Sequence, residues 1–293
     1  MTCWIKSGDY ELFFILNEIR VTGIRIFGLC FLNLNKWSSS RQRPSDNLKV
    51  CTFVLEFTTM KNRIDCNDCR NEKCFIKQGC FNEWLDKINT SKNQLYYKKG
   101  SYVFREGERI YGVHFIQHGG IKVVTTSLHG REQIVRLARE GQILGHRGLG
   151  RTFYYFNAVA LVDSLVCFVD NDLFYEACLN SPPFAYNLIF FYASELRRAE
   201  LRVKNQALMN IREKVAMAFI YSHEIFGINP ETKMLNISLS RKGIADIAGT
   251  TAEQVTRQLG IFEDEKLIAR NKREIIFLNI KGLEDIVRDY KIE

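Results

Sequence analysis

The chain has 293 residues, of which 46% are hydrophobic and 25% are charged, and its 41 Lys and Arg residues outnumber 33 Asp and Glu. This length predicts about two domains, and so many apolar side chains exclude a wholly disordered chain. No run of about 18 uncharged apolar residues occurs, so we expect no membrane-spanning segment and no membrane partner. The first residues also lack the pattern of a secretory signal, and we therefore expect a cytoplasmic protein.

Residues 1–59 differ from the rest of the chain because their apolar residues follow no sustained period. A polar stretch rich in Ser and Arg interrupts them at 36–47, and orderly patterns begin only after Met60. Two hypotheses remain open: either translation begins at Met60, or residues 1–59 form a weakly structured N-terminal extension. The intact mass of the native protein distinguishes them, because a full-length mass eliminates the later start.

The segment at 60–93 is rich in cysteine. Four of the nine cysteines lie within 15 residues, namely Cys66, Cys69, Cys74 and Cys80. In a reducing compartment, clustered thiols more often bind metal or sense redox state than form disulfides. This local set of four suits a structural zinc ion. The alternative is that these cysteines bind nothing stable.

Residues 94–181 are predicted to be all-β. Short runs of β-forming residues, among them 111–116, 121–126, 133–137 and 164–169, are separated by glycines. Strands of this length, spaced regularly with glycine turns, predict a closed roll or sandwich.

A long helix is predicted at 182–207, where two prolines begin a new pattern. Apolar or small residues recur there at alternating steps of four and three, while charged residues such as Glu195 and Arg197 lie off this stripe. Its members are Ala185, Ile189, Tyr192, Leu196, Ala199 and Val203. Such a heptad stripe predicts a dimer interface, and packing on the chain's own domain is the alternative.

The last segment, 208–293, contains the spacing of a helix-turn-helix between Ser240 and Leu259. Ala245 is small where the two helices cross, and Gly249 can adopt the left-handed conformation of the turn. We expect residues 250–253 to form a capping box at the start of the second helix. The buried faces are predicted to be Ile244, Ala248, Val255 and Leu259. An ordinary helical hairpin is the alternative.

The second helix is expected to read double-stranded DNA in the major groove. Glu253, Thr256 and Arg257 are the candidate base readers, since Glu accepts from cytosine, Arg donates twice to guanine, and Thr bonds or contacts a thymine methyl. Glu253 and Arg257 lie four residues apart on one helix face, where they can orient one another or form a simple surface ion pair.

The backbone of the DNA is expected to be contacted by Thr251 and by Lys272 and Arg273 in a basic turn between two strands. Basic and acidic residues are equally numerous from residue 208 onward. Affinity must therefore depend on local placement and on two copies in a dimer, and we expect a moderate dependence on salt.

This order of elements resembles the Crp/Fnr family of bacterial transcription regulators, over residues 66 to the C-terminus. Its most specific parts are Gly141-Gln-Ile-Leu-Gly145, the striped helix, and Ala252-Glu-Gln-Val-Thr-Arg257. The pattern Glu-x-x-Thr-Arg is closer to the Fnr branch, because Ala252 stands where the Crp branch has an arginine. The resemblance implies an α+β fold: a jelly-roll effector domain like those that bind cyclic nucleotides, a long dimerisation helix and a C-terminal winged helix-turn-helix. It also implies a homodimer, contact with RNA polymerase and no enzyme activity.

The resemblance argues against cyclic nucleotide as the effector. Family members that bind it have Gly-Glu after the second glycine and a later Arg-Ser/Thr-Ala, which supply a carboxylate for ribose and an arginine for phosphate. Here His146 follows Gly145, and the later position reads Phe156-Asn157-Ala158, with no arginine to neutralise the phosphate. Neither Arg147 nor Arg151 stands at the family position.

The cysteines resemble the N-terminal cluster of the Fnr branch, whose iron–sulfur cluster is completed by a cysteine in the roll. Cys66, Cys69 and Cys74 match that pattern with one residue fewer between the last two, and the fourth ligand is Cys167 or Cys80. The implied function is sensing of oxygen, redox state or nitric oxide. A regulator that responds to a small molecule, with structural zinc or no metal, is the alternative.

A metalloenzyme of the cupin type is the rival from another class, since the same roll can hold a catalytic metal. His114 and His118 are its only closely spaced histidines, and four residues of strand separate them by about 13 Å. That distance is too long for one metal ion, so we expect no enzyme of this type.

Overall fold

The computed structural model describes residues 2–7, 10–21, 24–33, 51–54, 63–80, 83–271 and 274–290. The chain divides into two compact units, residues 1–59 and 60–293. In the first unit the described backbone forms one antiparallel sheet in chain order. Its strands are β1 (Thr2–Ser7), β2 (Tyr10–Val21), β3 (Ile24–Asn33) and β4 (Cys51–Val54). Whether translation begins at Met60 stays a prediction.

The second unit begins with the cysteine-rich segment, which contains two short helices, α1 (Phe75–Gly79) and α2 (Glu83–Ser91). Cysteines flank α1 on both sides, because Cys74 is its N-cap and Cys80 its C-cap.

Two antiparallel four-stranded sheets follow and form the predicted roll, with strand orders β10-β7-β12-β5 and β6-β11-β8-β9. The strands are β5 (Asn93–Tyr97), β6 (Tyr102–Phe104), β7 (Gly112–His118), β8 (Gly120–Thr126), β9 (Glu132–Arg139), β10 (Ile143–Leu144), β11 (Asn157–Ala160) and β12 (Ser164–Asp170). Ile116, Ile121 and Val166, drawn from both sheets, are completely buried between them. The predicted fold class is confirmed.

Helix α3 (Asn171–Asn180) leaves the roll, and the long helix α4 (Pro182–Leu208) follows it. Asp170 begins α3 by accepting a hydrogen bond from the Leu173 amide. A proline at the first position of α4 has the backbone conformation that a helix start requires.

The C-terminal part consists of helices and a two-stranded hairpin. Its elements are α5 (Ile211–Phe226), α6 (Arg241–Ala248), α7 (Ala252–Asp264), β13 (Ile268–Asn271), β14 (Glu274–Phe277) and α8 (Ile280–Ile286). Asn210 and Glu213 form a capping box at the start of α5.

The helix-turn-helix shares one hydrophobic core with the outer face of the roll. Val124, Ile134 and Leu137 from β8 and β9 pack in the same cluster as buried residues of α5, α6 and α7. The Leu137 amide also donates to the Tyr221 hydroxyl at 2.9 Å. In the described parts of the chain, no helix combines the length and apolar character needed to cross a bilayer.

Candidate nucleic-acid interface and thiol site

The turn between α6 and α7 forms as its residue types predict. Ser240 caps α6 by accepting a hydrogen bond from the Gly243 amide at 3.0 Å. Gly249 has φ 68° and ψ 40°, the left-handed conformation that costs a residue with a Cβ atom the most. A Cβ at this position would also lie 2.8 Å from the Gln206 side chain. Gly249 therefore serves the turn between the two helices.

The predicted inner faces of the helix-turn-helix are confirmed. Ile244, Ala245, Ala248, Val255 and Leu259 are all buried in the shared core. These contacts fix the angle between α6 and α7, and so they fix which side chains of α7 face solvent.

The predicted capping box is wrong by one residue. Thr251 is the N-cap of α7 and accepts a hydrogen bond from the Gln254 amide at 3.3 Å, whereas the prediction began the box at Thr250. With Thr251 as N-cap, Glu253 is not the third residue of the helix and cannot close the box. The Thr251 hydroxyl instead lowers the pKa of Glu253.

All three predicted base readers lie exposed on α7. The Thr256 hydroxyl donates to the Ala252 carbonyl oxygen at 2.8 Å, so its methyl group is left for an outside contact. Among the described residues, the suggested ion pair between Glu253 and Arg257 is not formed. Arg257 is therefore not held by an intramolecular partner on that face, and it remains available to a base.

The predicted backbone contacts are only partly described. Thr251 is exposed at the start of α7, while Lys272 and Arg273 lie outside the described residues. The hairpin that carries them is attached to α7, because Arg270 Nε donates to the Glu263 carboxylate at 2.7 Å.

Helix α4 divides the predicted stripe between two faces. Ile189, Leu196 and Val203 are 65%, 62% and 72% exposed. Ala185, Tyr192 and Ala199 are half-buried instead. Tyr192 is held there because its hydroxyl donates to the His146 carbonyl oxygen at 2.6 Å.

The exposed face of α4 is wider than the stripe. Tyr186 and Phe190, which the sequence interpretation missed, are also exposed, with ring centroids 4.5 Å apart. The sequence could have indicated this, because Tyr186 and Phe190 lie three residues before and one residue after Ile189, and so close to the stripe on a helix. An exposed apolar face of this kind marks an interaction surface.

The cysteines of the described second unit are free thiols. Burial raises the pKa of Cys74, of Cys80 to about 12 and of Cys167 to about 11. Cys66 and Cys69 raise the pKa of Cys74 further, and Cys74 and Cys66 do the same at Cys167. Cys66, Cys69, Cys74 and Cys167 are therefore close enough to influence one another electrostatically.

The thiols do not form a finished metal site. Within the described ranges, no group of three or more Cys, His, Asp or Glu side chains is arranged to hold a metal ion. The donor chemistry nevertheless fits a thiolate-bound metal, because both iron–sulfur clusters and zinc prefer sulfur ligands. The structure leaves Cys167 and Cys80 both possible as a fourth ligand.

A buried lysine stands among the thiols and was missed by the sequence interpretation. Lys92 is 2% exposed, and its Nζ donates to Cys66 Sγ at 2.9 Å. Its positive charge also lowers the pKa of Cys167, which burial raises. A positive charge here favours the thiolate forms that bind metal.

The cysteine-rich segment is docked on the roll at Gly141. The Phe75 amide donates to the Gly141 carbonyl oxygen at 3.0 Å, and a Cβ at Gly141 would lie 2.4 Å from the Lys73 carbonyl oxygen. The absence of a side chain is thus what permits this approach. Asn71 adds a side-chain hydrogen bond to the Gln117 carbonyl oxygen at 3.0 Å.

The interior of the roll holds a small cavity of about 40 Å³, whose lining includes Arg136, His146, Arg147, Tyr154 and Phe156. Sites for small molecules of drug or cofactor size usually measure about 300–1,000 Å³. The cavity is too small for a nucleotide in this conformation. His146, which follows the second glycine, is buried and packs edge-on against Phe191 of α4.

Two family models match the chain. Residues 94–181 match the cyclic nucleotide-binding domain, and residues 213–286 match the Crp-like helix-turn-helix domain. Helix α4 lies between the two matched segments. The chain belongs to the Crp/Fnr family of transcription regulators.

Relatives of this Crp/Fnr chain include the anaerobic regulatory protein of Haemophilus influenzae, which is 24% identical over 226 residues, covering 76% of this chain and 88% of the relative. The transcriptional activator protein Anr of Pseudomonas protegens is 23% identical and covers 74% of this chain and 90% of the relative. Among solved structures, FixK2 from Bradyrhizobium japonicum matches with TM-score 0.60 and 22% identity, over 67% of this chain and 96% of that one.

Membership of the Crp/Fnr family confirms a DNA-binding regulator and not an enzyme. The two histidines considered for a cupin-type site also differ in their exposure to solvent. His114 is buried in the roll, whereas His118 is exposed at the end of β7 and pairs with Glu140.

Proposed function

We propose that this Crp/Fnr-family regulator acts in the cytoplasm as a homodimer on a palindromic site in double-stranded DNA. We further propose that its DNA affinity depends on the redox state of a metal centre bound by cysteines. The observation that carries the proposal is the exposed apolar face of α4, which runs between the roll and the helix-turn-helix.

The dimer is proposed to form along Ile189, Leu196 and Val203, which recur every seven residues on that face. A heptad spacing keeps one side of a helix against its partner along its whole length. Burying these side chains removes apolar area from water, which favours association. The half-buried Ala185, Tyr192 and Ala199 line the edge of the same interface.

Pairing along α4 would place the two reading helices about one DNA turn apart, which is the spacing of palindromic half-sites. Glu253, Thr256 and Arg257 are then the base readers, and Thr251, Lys272 and Arg273 contact the phosphates. Contact with RNA polymerase is proposed from the family resemblance.

The sensor is proposed to use Cys66, Cys69, Cys74 and either Cys167 or Cys80 as ligands. An iron–sulfur cluster bound there would supply a centre sensitive to oxygen or nitric oxide. We expect a change at these thiols to reach α1, because Cys74 and Cys80 occupy its N-cap and C-cap positions. The Phe75 ring packs edge-on against Phe184 and Phe191 of α4, at 5.7 and 5.5 Å between centroids.

Helix α1, which the cysteines flank, is thus in direct contact with α4. The side-chain amide of Asn187 on α4 also donates to the Gln78 carbonyl oxygen at 2.9 Å. A ligand set that holds α1 in place therefore favours one position of α4. This is a population shift, which requires the metal to bind one conformation more tightly than the other.

A second candidate is a regulator of the same fold that responds to a small molecule, with structural zinc or no metal. The observation that favours it is that the thiols of the described chain are not gathered into a ready ligand set.

Iron, zinc and acid-labile sulfide analysis of protein purified without oxygen distinguishes the candidates. We expect iron and sulfide with visible absorption, lost in Cys74→Ala and retained in the matched control Cys178→Ala. Comparison of Cys167→Ala with Cys80→Ala assigns the fourth ligand. Protein without iron and without colour rejects the redox sensor, and a chain that stays monomeric with its DNA rejects the dimer.

A further inference from the structure

A buried ion cluster joins the roll to the middle of α4. It consists of Arg136 on β9, Arg147 in the turn after β10, and Glu195 on α4. One carboxylate oxygen of Glu195 lies 3.3 Å from Arg136 Nε and 3.1 Å from Arg147 Nη2. The other oxygen lies 3.4 Å from Arg198 Nη1 on the same helix. The side chains of Arg136 and Glu195 are 4% and 7% exposed.

This cluster holds Glu195 as an anion although the residue is buried. Burial alone raises the pKa of Glu195, but Arg136 and Arg147 outweigh it, and the pKa lies below its ordinary value. A buried charge requires a partner of opposite sign with good geometry. The carboxylate and the two guanidinium groups thus depend on one another.

The roll side of the cluster has more positive charge than Glu195 neutralises. In the described part of the chain, Glu195 is the one carboxylate within salt-bridge distance of Arg136 or Arg147. Arg136 Nη1 donates to the Ile143 carbonyl oxygen at 2.7 Å, whereas its Nη2 is buried without a partner. Both ring nitrogens of the adjacent His146 also lack partners. A cationic pocket in low dielectric is a site for an anion.

Glu195 reaches this pocket from α4, away from the exposed apolar face. Leu196, the next residue, is 62% exposed on that face. One turn earlier, the Tyr192 hydroxyl bonds the His146 carbonyl oxygen. Two contacts on successive turns therefore set both the position and the rotation of α4 on the roll.

We propose that Arg136 and Arg147 form a carboxylate-binding site whose ligand is the chain's own Glu195. The roll is thereby locked to α4 without an added anionic effector, and the lock turns Ile189, Leu196 and Val203 outward. This inference deepens the proposed function, because its consequence for association rests on α4 being the dimer helix.

Chemical rescue tests the site with the full chain. Glu195→Ala removes the ligand and leaves the arginines uncompensated, so we expect its melting temperature to fall by several degrees. Acetate or formate should restore most of that loss in a saturable manner, compared with chloride at equal ionic strength. Wild type and the matched control Glu200→Ala, which removes an exposed carboxylate from the same helix, should gain nothing specific from acetate.

If Glu195→Ala does not fold, a second variant still tests the proposal. Glu195→Gln preserves the shape and removes the charge, and we expect the dimer dissociation constant to rise at least about tenfold. Faster amide hydrogen exchange in the middle of α4 should accompany it. The inference is overturned if acetate stabilises wild type and Glu195→Ala equally, if it stabilises neither, or if Glu195→Gln exchanges and associates as wild type does.

The outcomes separate this inference from the proposed function. A wild-type chain that dimerises and binds DNA, together with no rescue, rejects the lock and leaves the proposed function standing. A wild-type chain that never dimerises, together with saturable rescue of the melting temperature, rejects the dimer and retains the carboxylate site.

Discussion

The helix-turn-helix, called the reader after its proposed role, and the roll with its cysteine-rich segment, called the sensor after its proposed role, treat their polar groups differently. In the helix-turn-helix, Ser240 and Thr251 cap the two helices, and the reading side chains point into solvent. In the sensor region, polar side chains are buried with atoms that lack partners, among them Arg136, His114 and His146. Among the described residues, the reader buries one side-chain atom without a partner, Gln258 Oε1, whereas the sensor buries four, on His114, Arg136 and His146.

This difference indicates where we expect regulation to act. We expect a reading surface whose caps and core are already formed to gain little from further ordering. Buried groups without partners cost free energy, and a change of conformation or of ligand can recover it. Control of DNA binding is therefore expected to act on the position of α4 and not on the shape of α7.

The largest expected effect tests the completeness of the reader. Phe262 is completely buried in the shared core, and Phe262→Ala should lower the free energy of unfolding by about 3–5 kcal/mol because it leaves a cavity. Urea unfolding at neutral pH measures this loss. Leu278→Ala, at a position 50% exposed, is the control and should cost far less. Equal losses would show that the reader lacks a tightly packed core.

The next effect tests whether the sensor buries an uncharged histidine, His114. Burial lowers the pKa of His114 from 6.5 to about 4. Below pH 6.5 the unfolded chain binds a proton that the folded chain refuses, so stability present above that pH is lost as the pH falls towards 4. The contribution is roughly 3 kcal/mol over that window.

Urea unfolding between pH 7 and pH 4.5 measures this dependence in wild type and in His114→Leu. The variant should lose part of the acid sensitivity, and the exposed control His129→Leu should retain all of it. Identical pH profiles for wild type and His114→Leu would contradict the burial of an uncharged histidine.

A smaller effect concerns base recognition. Arg257→Ala should weaken specific DNA binding by about 1–3 kcal/mol and relax the preference at one base pair, because Arg257 is exposed and forms no ion pair with Glu253, so it is free to contact a base. Fluorescence anisotropy with specific and scrambled duplexes measures both effects. The exposed Arg288→Ala is the charge-matched control. Unchanged specific binding by Arg257→Ala would reject its role as a reader.

The smallest effect separates two neighbouring threonines. Thr251→Ala removes the N-cap of α7 and should lower the free energy of unfolding by about 1 kcal/mol. Thr250→Ala should cost less, because Thr250 caps no helix in this structure. Thermal unfolding of the two variants decides the matter, and a larger loss at Thr250 would restore the originally predicted capping box.

Most of the structure of the helix-turn-helix could be predicted from local sequence patterns. The turn at Gly249 and the buried Ile244, Val255 and Leu259 follow from spacing alone, since each depends on neighbours within a few residues. The cap was misplaced by one position because Thr250 and Thr251 are equivalent in composition and differ only in backbone conformation.

The sensor was less predictable because its key contacts join distant residues. Arg136 and Glu195 are far apart in the chain, and a glutamate among charged neighbours on a helix normally indicates solvent exposure. Lys92 was missed for the same reason, since only packing brings it beside Cys66. Likewise, the heptad pattern of α4 was correct in period, but it could not show which members the roll would cover.

By itself the sequence determined the order of the roll, the long helix and the helix-turn-helix, and with it membership of the Crp/Fnr family. Those properties depend on hydrophobic period, glycine turns and short motifs, which act over a few residues. Only the tertiary structure decided that Glu195 is buried on two arginines and that Ile189, Leu196 and Val203 remain exposed. Burial is a property of the assembled fold, because the same side chain changes from solvated to buried according to what packs against it.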